Sequence, residues 1–152
     1  VLEYVFKNKV QDTLFAGIFN EEIFRELKNK KNKIVIKDTF SKKKISISID
    51  KFYLKNDNAI VTSNNNTIIF TKYRKPFHYL SDFKELNINL KKYKILVVKS
   101  GYLSPELKKL KADNFMILTD GFVTQDFKRI KNLFREKPIY PFQKNFRYNI
   151  AI

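Results

Sequence analysis

The sequence predicts an α/β fold. It consists of a mixed sheet with an antiparallel meander at about residues 45–71 and flanking helices, in one domain over residues 1–152. Three observations carry this. Dense apolar runs at 13–18 and 95–98 alternate with capped helical segments. Between them the apolar period drops to two, with Ile45, Ile47 and Ile49 separated by Ser46 and Ser48. A chain of 152 residues with 43% hydrophobic content is long enough for one real core.

The elements follow in order. Leu2, Val5 and Phe6 fall on one helical face, and no capping side chain precedes them. This reads as a helix cut into from upstream, so the chain is expected to be the tail of a longer protein. Residues 13–18 form a short buried strand. Asn20 caps a helix that turns Ile23, Phe24 and Leu27 inward. The lysines at 28–33 close that helix, where cations suit the dipole. Ile34, Val35 and Ile36 make the next strand. Ile45 to Ile49 continue into Phe52 and Leu54 in the opposite phase, so a bulge is expected near Asp50 and Lys51. Asn56, Asp57 and Asn58 make a turn. Residues 59–62 and 67–71 flank Ser63-Asn64-Asn65-Asn66 as a hairpin. Ser81 is expected to cap a short helix carrying Phe83 and Leu86. Residues 95–98 are a dense strand, expected to be covered on both faces. Ser104-Pro105-Glu106 starts a helix with Leu107 and Leu110 inward. Phe115, Met116, Ile117 and Leu118 read as one more buried strand ending at Gly121. Pro138 and Pro141 bracket an extended tail.

Composition removes several function classes. There is no cysteine, hence no disulfide scaffold, thiolate metal site or cysteine nucleophile. His78 is the sole histidine, so a self-contained zinc site is not expected in this chain. No apolar run approaches the length of a membrane span, and no cleavable signal is visible. A cytoplasmic location is expected. The net charge of +16 comes from 31 basic and 15 acidic residues. Such a charge attracts polyanions. The arginines, however, are only Arg25, Arg74, Arg129, Arg135 and Arg147. Lysine, asparagine, isoleucine, phenylalanine and tyrosine share A/T-rich codons, so base composition accounts for the pattern as well as selection does. Weak, non-specific polyanion binding is therefore the expectation.

Three motifs bear on chemistry. In 97–107 a strand ends, Lys99-Ser100-Gly101-Tyr102 follows, and a helix begins. Ligands of open α/β sheets sit at the carboxyl ends of strands, and helix-start N–H groups favour anions. Lys99 and Ser100 are thus candidates for binding something negative, although the glycines of a phosphate loop are missing. The bland alternative is a lysine leaving a strand into solvent. In 72–79, Lys72, Arg74 and Lys75 alternate with Tyr73, Phe77 and Tyr79 beside His78. Nucleobase stacking with phosphate contact suits this pattern, and so does a loop whose aromatics plug the core. No serine or carboxylate stands at a spacing that makes His78 part of a triad. In 118–127, Asp120 and Asp126 flank Gly121 and Thr124; two carboxylates do not make a metal site, and a turn is the simpler reading.

The order of these segments resembles the C-terminal region of the microcystinase C (MlrC) metallopeptidase-like family. The resemblance runs through Arg74-Lys75-Pro76-Phe77-His78-Tyr79, then Asp82-Phe83, then residues 94–103 and Pro105-Glu106-Leu107. It continues through Gly121-Phe122-Val123-Thr124-Gln125-Asp126 and Pro138-Ile139-Tyr140-Pro141-Phe142. A looser likeness covers residues 16–22. Asn89-Leu90 stands where the family usually has Asp-Pro, Asp120 where it has Pro, and Asn20 where it tends to have Asp. The resemblance implies a non-metal-binding C-terminal domain of a zinc-dependent, microcystin-degrading type of hydrolase. Zinc would be held by Asp and His ligands of the N-terminal metal-binding domain, which is the implied partner. Peptide-like or amide substrates are implied. Arg74, His78, Lys99, Ser100 and Tyr102 are the candidates to line the substrate cleft, with no catalytic residue and no metal ligand in this chain. The isolated chain is expected to be inactive. The alternatives are a basic module binding single-stranded nucleic acid through residues 72–79, and an inactive remnant of the family.

Overall fold

The computed structural model describes residues 1–29, 32–37, 43–99, 104–110 and 112–117. The chain divides into two units, 1–112 and 113–152. The first unit holds α1 (Leu2–Lys7), β1 (Thr13–Phe19), α2 (Glu21–Lys28), β2 (Lys33–Lys37), β3 (Lys44–Ser48) and β4 (Lys51–Lys55). These are followed by β5 (Asn58–Ser63), β6 (Asn66–Thr71), α3 (Leu80–Lys84), a 3-10 turn (Leu90–Lys92), β7 (Ile95–Val98) and α4 (Pro105–Lys108).

The main sheet is mixed, with strand order β4-β5-β6-β1-β7, and β2-β3 form a separate pair. β4, β5 and β6 make the antiparallel meander, while β1 runs parallel to both β6 and β7. Each hairpin of the meander turns on two residues with positive φ, Asn56-Asp57 and Asn64-Asn65. That is the geometry that matches the strands' twist, and asparagine and aspartate tolerate it best.

Period-two alternation sorts the core onto the two faces of this sheet. Phe15, Ala59, Val61, Ile68 and Phe70 pack with Val5, with Ile23, Phe24 and Leu27 of α2, and with Ile34 and Ile47. On the other face Leu14, Ala16, Ile60 and Ile69 pack with Phe77, Phe83, Leu86 and Leu107. Asn20 caps α2 as its position suggested, accepting the Ile23 N–H at 2.9 Å.

Four expectations are corrected. The phase slip at Asp50-Lys51 is a boundary between two strands rather than a bulge within one. β3 pairs with β2, β4 pairs with β5, and the backbone crosses from one sheet to the other between them. The Asp50 carboxylate accepts the Asn64 N–H at 2.8 Å and its own N–H reaches the Thr62 carbonyl, which pins the crossing. Helix α3 starts after Tyr79, and Ser81 lies inside it. The Asp82 carboxylate reaches back to the Tyr79 and His78 N–H groups, so the carboxylate sets the start. β7 is the last strand of its sheet and is only partly covered, with Ile95 43% exposed, because an edge strand lacks a neighbour on one side. In the second unit, residues 113–117 carry no strand, and Phe115, Met116 and Ile117 are exposed. An apolar run becomes a strand only when another strand takes up its hydrogen bonds. The expectations at Leu118 through Asp126 and at 138–142 lie outside the described residues. Among the described residues, no helix is long and apolar enough to cross a membrane.

Candidate functional site

The parallel strands set the geometry of the site. β1, β6 and β7 all run the same way, so their carboxyl ends share one edge of the sheet. β1 is the central strand of the three, and it is irregular. Its register against β6 passes from Phe15↔Ile68 to Ile18↔Phe70, which inserts one extra residue. Gly17 lies there with φ of +81°. The extra residue returns Ile18 to the face of Phe15 and leaves Phe19 at the edge, 39% exposed. A Cβ at Gly17 would stand 3.1 Å from Phe77 Cδ2 and 3.3 Å from the Lys75 carbonyl oxygen. The glycine thus serves both the backbone turn and the close approach of residues 75–77 across β1.

The 72–79 segment leaves β6 over this edge. Lys72 pairs with Asp57 at 3.7 Å and lies 4.7 Å from the Tyr73 ring centre. Contact with the Tyr73 side chain, ahead of Asp57, holds the Lys72 pKa above its ordinary value. The Arg74 guanidinium lies 4.9 Å from the centre of the Phe19 ring, a cation–π distance. Lys75 pairs with Asp82 at 3.0 Å. Phe77 is buried against Phe83, with ring centres 5.2 Å apart.

Asp82 anchors the segment. Burial pulls its pKa up, but the N–H groups of Tyr79 and His78 and the Lys75 ammonium outweigh that and hold it below the ordinary carboxylate value. Residues 78–80 are then tied to α4. Ser104 Oγ accepts the Leu107 N–H at 3.2 Å, capping α4, and donates to the His78 carbonyl. The Glu106 carboxylate accepts the Leu80 N–H at 2.8 Å. The two segments that stood out in sequence, 72–79 and the start of α4, are therefore joined.

Arg74 and Lys99 lie at this edge, at the ends of β6 and β7. Neither is paired with a carboxylate among the described residues. β6 and β7 flank β1, so their ends are two strand spacings apart, about 10 Å. β7 ends level with Ala16, whereas β6 ends level with Phe19. His78 is half-buried and is used through its backbone at the α3–α4 junction. Ser100 and Tyr102 lie outside the described residues. Sequence reasoning missed Phe19 as the ring beneath Arg74 and Asp82 as the anchor. A glycine inside an apolar run was the available signal for the bulge, and an acidic residue at the third helical position was the signal for Asp82. Among the described residues, no three or more His, Cys, Asp and Glu side chains are gathered as metal ligands would be.

Comparison with known proteins adds one match: a family model described as MlrC C-terminus covers residues 35–132. No curated protein and no solved structure matches the chain.

Proposed function

Because the chain belongs to the MlrC C-terminus family, we propose that it serves as the non-metal-binding C-terminal domain of a zinc-dependent hydrolase of peptide or amide bonds. The observation that carries the reading is the shared carboxyl edge of β1, β6 and β7, which presents Arg74 and Lys99 from short, stiff connections. In a two-part protein this edge would line the substrate cleft. The described residues do not fit a zinc centre, so the metal would be supplied by an N-terminal metal-binding domain. No bond-breaking step is assigned to this chain. Its side chains would orient the substrate, with Arg74 and Lys99 opposite its negative groups.

The nucleic-acid alternative is less well supported at 72–79. Lys72 and Lys75 are engaged with Asp57 and Asp82, and Phe77 is buried, which leaves Arg74, Tyr73 and Tyr79 at the surface. Single-strand binders need a basic track with several free aromatic platforms.

Co-expression tests the proposal. Paired with an Asp/His-rich metal domain of an MlrC-like hydrolase, the chain should co-purify with it and raise its hydrolysis of a peptide substrate. Failure to associate, with no change in hydrolysis, contradicts the reading.

A further inference from the structure

We propose that the edge formed by Arg74, Phe19 and Lys99 recognises an acidic peptide, Arg74 gripping one carboxylate and Lys99 supplying a second positive charge. This rests on the cleft reading above and names the ligand chemistry of that edge.

The argument starts with which cations are free. Lys72 and Lys75 already have carboxylate partners, at 3.7 Å and 3.0 Å, and Lys55 donates to the Asn87 side chain at 3.0 Å. Arg74 and Lys99 have none among the described residues. Arg74 is also held in place. Its guanidinium rests on the Phe19 ring, and the bulge at Gly17 is what brings Phe19 to the edge. A guanidinium fixed by a ring loses less freedom on binding, and its planar fork matches a carboxylate with two parallel N–H···O bonds. Lys99 leaves a strand whose register on β1 is regular over Thr13 to Ala16, so its backbone is also well placed.

The spacing and the intervening charges choose the ligand. Two free cations about 10 Å apart in strand spacing suit two discrete negative groups along an extended chain. A nucleic-acid backbone needs a continuous basic track. Here Asp57 and the acidic first turn of α2, Glu21 and Glu22, follow from the same strand ends and interrupt any such track. The exposed Phe19 and Tyr73 rings add apolar surface for the side chains of a peptide.

The test uses the 152-residue chain, labelled with nitrogen-15, and a capped pentapeptide bearing two glutamates. The peptide should shift the Arg74 side-chain N–H resonance and the amides of residues 72–75 and 99. Replacing both glutamates by glutamine should abolish the shifts. Arg74→Gln and Lys99→Gln should each weaken binding roughly tenfold, the usual effect of losing one charged hydrogen-bond partner. Lys91→Gln, in the exposed 3-10 turn before β7, should change nothing. Equal binding of the glutamine peptide overturns the proposal, as does equal loss with Lys91→Gln. Tighter binding of a single-stranded thymidine oligonucleotide at physiological salt overturns it in favour of a nucleic acid. The cleft reading is separable from this one. Peptide binding without any association with a metal domain leaves this inference standing and removes the cleft. Restored hydrolysis without glutamate-dependent binding does the reverse.

Discussion

Gly17 and Asp82 hold the candidate edge in shape, and each makes a residue-scale prediction. Gly17 combines a positive φ with a Cβ position 3.1 Å from the Phe77 ring. Gly17→Ala should therefore lower stability by about 1–3 kcal/mol, through backbone strain and displacement of Phe77. Urea melts of the two proteins check it, and an unchanged midpoint would remove the glycine from the account. Asp82 has its pKa lowered in the folded state from an ordinary value of 3.8. Its ionised form is the one that folding favours. That contribution is complete above the ordinary value and is lost as pH falls through the lower folded one. Asp82→Asn should thus cost about 1–3 kcal/mol at pH 7, and the gap to the parent should close on acidification below about pH 4. A gap that persists in acid would mean that Asp82 acts by shape alone. Neither role was fully legible in sequence. The glycine signalled an irregularity without naming its neighbour, and Asp82 lay one residue from Ser81, which also looked like a cap.

At the scale of elements, local chemistry was readable wherever a side chain acts on its own backbone. Asn20 and Ser104 cap the helices assigned to them, and the asparagine-rich turns make the hairpins. Pairing was harder to read, because alternation fixes a strand's two faces and leaves its partner open. Residues 45–49 and 51–55 have similar patterns but join different sheets, and only the Asp50 contacts mark the crossing. The edge position of β7 was hidden for the same reason. Helix α4 and the end of β7 separate stability from function. Leu107 is 3% exposed in the core beneath the sheet. Leu107→Ala should destabilise by about 2–5 kcal/mol. Lys99 is exposed, so Lys99→Ala should stay within about 0.5 kcal/mol. Paired thermal melts decide this, and the reverse order of effects would contradict the burial pattern.

At the scale of the whole molecule, the first unit is a sheet covered on both faces, with three parallel strand ends opening at one edge. That arrangement follows from the two crossovers that parallel pairing demands. α2 and the β2-β3 pair lie in the connection from β1 to β6, and α3 lies in that from β6 to β7. The family was legible from the order of segments between residues 72 and 107, although no single motif carried it. The site was half legible: Arg74 and Lys99 were named from sequence, while Phe19, which orients Arg74, becomes visible only once β1 is seen to bulge. The most direct test of the central claim is the peptide-hydrolysis rate of the two-part protein carrying Lys99→Ala, measured beside Lys91→Ala. With the melting temperature unchanged in both, the account predicts a roughly tenfold lower kcat/KM for Lys99→Ala, the cost of one charged contact, and a parental rate for Lys91→Ala. Equal rates in the two variants would contradict it.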